Sequence, residues 1–131
     1  MTVFIDTSAL LPQLNPADDD HDRAIEAFSQ IVREQQLVTH NYVVVEATAL
    51  VQARLGIEAT RTLTRDLLPL IDIRWVDEEL HRAAASALLA AGRRETSLVD
   101  WTSFEVMRRE GIDTALAFDR DFVRQGFRVL P

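Results

Sequence analysis

The chain has no cysteine and no lysine. The first absence excludes disulfides, thiolate metal sites and cysteine nucleophiles, and it is compatible with a reducing cytoplasm. The second means that all 14 basic residues are arginine. Arginine presents a flat fork suited to phosphate and carboxylate, although a GC-rich coding sequence is explanation enough for the bias. No apolar run approaches the roughly 20 residues of a membrane-spanning helix. No basic segment precedes the first apolar run, so no secretory signal is expected. Positive charge is also in deficit. A net charge of −7 argues against a protein that grips nucleic acid by bulk electrostatics. What remains is 131 residues, 47% hydrophobic and 27% charged, which predicts one globular domain over residues 1–131 with enough length to bury a core. There is no internal repeat and no low-complexity linker.

Short apolar runs alternate with longer helical patterns. Residues 2–6 (TVFID) read as a buried strand, and 8–14 as a short helix stopped near Pro16. Residues 18–36 begin acidic and become helical, with Ala24, Phe28, Ile31 and Val32 roughly on one face. Residues 37–39 are a short strand. Asn41 is placed to cap a helix that runs to Leu55 and ends at Gly56. Residues 57–68 read as a helix closed by Pro69, 71–76 as a strand, and 78–91 as an alanine-rich helix stopped by Gly92. Residues 98–110 read as a helix ending before Gly111. Residues 114–118 (TALAF) form a strand, a short helix follows, and 127–130 (FRVL) form the last strand. Strands separated by helices, without hairpin turn signals, predict an α/β fold with a mostly parallel central sheet. In such sheets ligands bind beyond the carboxyl ends of the strands.

Carboxylates stand at those ends. Asp6 closes the first strand. Asp119 closes "TALAF", with Asp121 two residues on. Each alone has an ordinary structural explanation, as a helix cap or an Asx-turn. Two helices carry acids in apolar surroundings. Glu46 lies on the stripe Val43, Glu46, Leu50, Ala53, which points it toward the core or a pocket if the segment is helical throughout. Asp100 stands three residues after Ser97, the spacing of a capping box, yet shares a face with Phe104 and Met107. If these acids converge, their mutual repulsion must be relieved by raised pKa values or by a bound cation. An all-oxygen cluster favours Mg²⁺ or Mn²⁺ over zinc. His21, His40 and His81 show no metal-ligand spacing and are read as surface or structural residues.

The ordered set "FIDTSAL", a helical glutamate, "SLVD" and "AFDRDF" resembles the PIN-domain family, and within it the VapC-type toxins of toxin–antitoxin pairs. The resemblance spans Val3 to Val129. It implies a three-layer α/β/α sandwich and an endoribonuclease dependent on Mg²⁺ or Mn²⁺. Residue by residue, it implies catalytic roles for Asp6, Glu46, Asp100 and Asp119. Asp6, Asp100 and Asp119 would hold the metal, with Asp121 as a further supporting ligand and Glu46 as ligand or activator of the attacking water. The hydroxyl residues matching the pattern are Thr7 and Ser97. Arg93 and Arg94, just before Ser97, are candidates for substrate phosphates. Arg61 and Arg65, one helical turn apart, read rather as an ion-paired surface.

Aspartates at parallel strand ends also resemble receiver domains and haloacid-dehalogenase-like phosphatases. Both rely on a lysine, which this chain lacks. The phosphatases also want Asp-x-Asp after the first strand, where this chain has Asp6, Thr7, Ser8. A non-catalytic PIN-like binding module and a PIN-like nuclease of RNA processing remain as alternatives. A toxin role implies an RNA substrate, a cognate antitoxin and a homodimer. The helices of 42–68 are the expected partner surface, with Leu63 as its test residue.

Overall fold

The computed structural model describes residues 1–131. Five strands, β1 (Thr2–Ile5), β2 (Gln36–His40), β3 (Asp72–Arg74), β4 (Thr114–Leu116) and β5 (Arg128–Leu130), form one sheet in the order β3-β2-β1-β4-β5. Every pairing is parallel. Parallel neighbours need crossovers, and seven helices supply them: α1 (Thr7–Leu14), α2 (His21–Ile31), α3 (Asn41–Leu55), α4 (Ile57–Thr62), α5 (Glu78–Ala91), α6 (Leu98–Glu110) and α7 (Asp121–Arg124). They make the outer layers of an α/β/α arrangement. Val3, Phe4 and Ile5 of β1 are wholly inaccessible, as a central strand covered on both faces must be. The strands' buried side chains join Leu10, Phe28, Val43, Ala47, Val51, Phe104, Met107 and Phe122 in one 25-residue core.

Several expected boundaries shift for local reasons. The segment 15–20 is not helix. Asn15 and Asp18 turn their side chains onto the backbone N–H groups of Ala17 and Asp20, at 3.1 and 2.8 Å, and close turns ahead of α2. His40, rather than Asn41, caps α3: its Nδ1 accepts from Val43 N at 3.4 Å, while Asn41 Oδ1 accepts from Val76 N at 2.6 Å. The helix expected over 57–68 is α only to Thr62. It widens to a π turn over Leu63–Leu67 and tightens to a 3₁₀ turn over Leu68–Leu70. The wide turn lets Leu63 and Leu68, five residues apart, both enter the core. Leu63 is fully buried, so it cannot serve as an exposed contact with a second copy. On α3 the buried line is Val43, Ala47, Val51. The stripe through Glu46 instead leaves the core and ends at exposed Ala53.

The chain builds β1, β2 and β3 outward in one direction, then returns to β4 on the other side of β1. That reversal opens a crevice at the carboxyl ends of β1 and β4. Asp6 N continues the ladder by donating to Leu116 O at 3.1 Å. The first and last acids of the sequence pattern therefore meet at the switch point.

Candidate active site

Asp6 ends β1 and begins α1. Its Oδ2 accepts from Ser8 N at 3.1 Å and from Ser8 Oγ at 2.6 Å, which caps the helix. Oδ1 makes no hydrogen bond within the protein. Ser8 Oγ accepts in turn from Phe118 N at 2.9 Å. One hydroxyl thus ties the first acid to the loop that carries Asp119.

Asp100 and Ser97 form the capping box of α6. Ser97 N donates to Asp100 Oδ2 at 3.0 Å, and Asp100 N donates to Ser97 Oγ at 3.2 Å. Asp100 Oδ1 is left without a bond. Asp119 closes an Asx-turn, its Oδ1 accepting from Asp121 N at 2.9 Å, and its Oδ2 is unbonded. Three aspartates therefore spend one oxygen on local structure and keep the other free. Asp121 differs. Its Oδ2 takes the Thr96 hydroxyl at 3.0 Å and its Oδ1 takes Arg124 Nη1 at 3.0 Å.

Asp100, Asp119 and Asp121 each bring a carboxylate oxygen within 4.8 Å of the others. Asp6 is 3% exposed. Burial pushes its carboxyl up from 3.8 to about 7; the bonds from Ser8 oppose the rise, and the charges of Asp100 and Asp119 add to it. Burial likewise raises Asp100 to about 6, with the charges of Asp119 and Glu46 contributing. Asp100, Asp119 and Asp121, three carboxylates this close with Arg124 on Asp121 alone and with Asp6 coupled to them through charge, form an oxygen-only donor set fit for a hard divalent cation. Glu46 stands at the margin. Its charge bears on Asp100, and it lines a groove of about 420 Å³ whose floor is apolar, with Tyr42, Val45, His81, Leu98 and Val99.

The expected hydroxyls divide. Ser97 is the cap just described. Thr7 is buried and its Oγ1 has no partner. The hydroxyls that organise the acids are Ser8 and Thr96, neither singled out by the sequence reading. Asp-x-Ser at a strand end is an Asx-type signal that could have found Ser8. Thr96 pairs across 25 residues, and nothing local announces it. His40 is structural, as expected: Ser103 Oγ gives its proton to Val99 O at 2.9 Å, so His40 Nε2 donates to Ser103 Oγ at 2.8 Å. Burial lowers His40 to about 4. Arg93 and Arg94 lie exposed in the turn between α5 and α6, and no carboxylate pairs with either. Arg61 pairs with Glu58, as a surface residue would.

The family model for the PIN domain matches residues 3–128. The 23S rRNA-specific endonuclease VapC20 of Mycobacterium tuberculosis is 33% identical over 126 residues, covering 95% of each chain. The crystal structure of that protein, described as a sarcin–ricin loop cleaving toxin, superposes with a TM-score of 0.87 over 98% of this chain and 99% of the other. VapBC2 from Rickettsia felis, solved bound to a DNA fragment from its promoter, is 13% identical with a TM-score of 0.73 over 98% and 97% of the chains, and so shares the fold. No helix here is long and apolar enough to cross a membrane.

Proposed function

This chain belongs to the PIN-domain family, as an endoribonuclease of the VapC toxin type, and from that premise we propose that Asp6, Asp100 and Asp119 hold Mg²⁺ or Mn²⁺ for the hydrolysis of an RNA phosphodiester bond. The observation that carries the proposal is the trio of free oxygens, Asp6 Oδ1, Asp100 Oδ1 and Asp119 Oδ2, on side chains whose other oxygens are fixed. Ligands anchored in this way need little reorganisation when a cation enters. A bound divalent cation supplies a water of lowered pKa, a template for the phosphate and relief of its charge.

The chain's own residues do the rest. Ser8 fixes Asp6 relative to the Asp119 loop. Asp121, with both oxygens engaged, supports the site rather than leading it: it ties Thr96, at the root of the Asp100 cap, to α7. Glu46, on the open side of Asp100, accepts a proton from the attacking water. Arg93 and Arg94 reach phosphates on the α5–α6 side. Thr7 offers the site an unused hydroxyl.

The substrate we infer is 23S rRNA at its sarcin–ricin loop, by similarity to VapC20. The setting is the cytoplasm, where that RNA resides. The partners are a cognate antitoxin that covers the acids and a second copy of the chain, and the single domain 1–131 carries the activity. Purified protein mixed with 23S rRNA should cleave it at one position in Mn²⁺ or Mg²⁺ and stop on chelation. The Asp6→Asn, Asp100→Asn double variant should leave the RNA intact while folding normally by circular dichroism. Cleavage that persists in the folded double variant would refute the assignment of the acids.

A further inference from the structure

A second groove, of about 440 Å³, opens on the Asp119 side of the acids, between the start of α2, the β4–α7 loop and Pro131. Its size is within the range of ligand clefts, roughly 300–1,000 Å³. Asp119 forms part of its wall, so the groove borders the acid cluster. Its cations are Arg23 and Arg120, with Asp20 and Asp119 as its acids. Arg23 is held in place twice, by Asp20 Oδ1 at 3.2 Å and by its guanidinium lying 5.4 Å from the centre of the Phe118 ring. Arg120 is exposed and pairs with no carboxylate. Phe118 is itself fixed at its backbone by Ser8.

An aromatic ring and a stacked guanidinium make a platform for a base, and a free guanidinium makes a fork for a phosphate. In a chain of net charge −7, this pairing of arginines beside the acids is local and is not explained by bulk charge. We propose that this groove is the subsite for the RNA nucleotide flanking the scissile bond, with Arg120 and Arg23 on its phosphates and the Arg23–Phe118 stack against its base. The assignment rests on the endoribonuclease reading and extends it by naming positioning residues outside the acid cluster. The cations of the α5–α6 turn are a different set.

The test uses a fluorescent RNA hairpin carrying the sarcin–ricin loop sequence. Its binding is measured against salt on the cleavage-dead Asp6→Asn, Asp100→Asn background. Arg23→Gln, Arg120→Gln is compared with Arg61→Gln, Arg65→Gln, which removes the same charge elsewhere. The first pair should lose affinity roughly tenfold or more, as expected for charged hydrogen bonds. Its salt slope should fall by about 1.4, from two phosphate contacts at about 0.7 each. The control pair should keep both. On the active background the first pair should raise KM with kcat little changed, and Mn²⁺ affinity should not move. Arg23→Lys, Arg120→Lys should recover the salt slope but only part of the affinity, because charge returns without the fork and the stack.

Equal losses in both pairs, or none in either, overturn the groove. If the wild type cuts RNA while the groove variant keeps its KM, the groove fails and the nuclease reading survives. If the wild type binds but never cuts, the same slopes still decide the groove, and the nuclease reading fails. Binding of an Asp- and Glu-rich peptide, lost in the groove variant where RNA binding is not, would reassign the surface to an acidic protein.

Discussion

Replacing Asp6 by asparagine should stabilise the metal-free protein above neutral pH and abolish its metal affinity. The carboxyl of Asp6 titrates near 7 in the fold against 3.8 when free. A group whose folded pKa is raised favours folding most below its unfolded pKa and loses that contribution as pH rises through the folded value. For Asp6 the loss runs from about pH 4 to about pH 7. At about 1.4 kcal/mol for each tenfold change in proton affinity, it totals about 4 kcal/mol at pH 8 and under 1 kcal/mol at pH 4. Asparagine carries no charge to desolvate and caps helices about as well as aspartate. Its Oδ1 can take the place of Asp6 Oδ2 and accept both bonds from Ser8. In chelator at pH 8 the variant should therefore melt higher than wild type, by on the order of 10 °C for a chain of this length. The gap should close as pH falls to 4. Saturating Mn²⁺ at pH 8 should raise the wild type, by about 2.7 kcal/mol at a hundred times Kd, and leave the variant where it was. Scanning calorimetry at the two pH values, with and without Mn²⁺, measures all four states. A variant that is less stable than wild type in chelator at pH 8 would refute the burial penalty on the Asp6 charge, and a variant that Mn²⁺ still stabilises would refute Asp6 as a ligand.

Ser8→Ala removes the hydroxyl that joins Asp6 to the Asp119 loop; Mn²⁺ affinity and cleavage should fall roughly 10- to 100-fold, as for other supports of metal ligands, with only about 1 kcal/mol of stability lost by denaturant unfolding. The His40 ring, held near 4 by burial, should show flat NMR shifts from pH 8 to 5.5; a midpoint near 6.5 would contradict its packing between Val43 N and Ser103. Since stability from a lowered histidine pKa is present above 6.5 and lost as pH falls toward 4, this ring should contribute to acid unfolding in that window. Val45, 65% exposed beside Tyr42 and Leu98, replaces Leu63 as the test of dimerisation through α3: Val45→Glu should halve the mass seen by light scattering, and an unchanged mass removes that face.

The alternation of strands and helices was legible because each rests on local chemistry: Gly92 and Gly111 end α5 and α6 in the left-handed conformation, at φ of 63° and 66°, where an L side chain is disfavoured. What the sequence hid depends on partners distant in the chain. Asn41 has the chemistry of a cap, but Val76, 35 residues on, claims its oxygen, and His40 caps instead. The stripe through Glu46 carries that side chain into a groove, one of the two places its spacing allowed, while Val43, Ala47 and Val51 form the line that faces the sheet. The π turn at Leu63 has no periodic signature; it appears only where two leucines five residues apart both find buried space. Thr96 is visible only once β4 brings Asp121 beside it.

The acids themselves pose a different question, because a cap and a ligand look like rival explanations of one carboxylate. In the structure the backbone bonds fall on one oxygen of each side chain and leave the other for the proposed ligand role. Asp6, Asp100 and Asp119 each accept backbone N–H bonds through one oxygen, and those bonds fix the direction of the other. A free aspartate entering a metal site would lose rotamer freedom on binding; a capping aspartate has already lost it on folding. Three acids anchored by helix caps and an Asx-turn at adjoining strand and helix ends would therefore make a better cation site than three unconstrained acids, and the charge repulsion among them is borne by the fold. Asp121 is held differently. With Thr96 and Arg124 on its two oxygens and a carboxylate oxygen within 4.8 Å of those of Asp100 and Asp119, it supports the site, and its removal should weaken the site through Thr96 and the Asp100 cap.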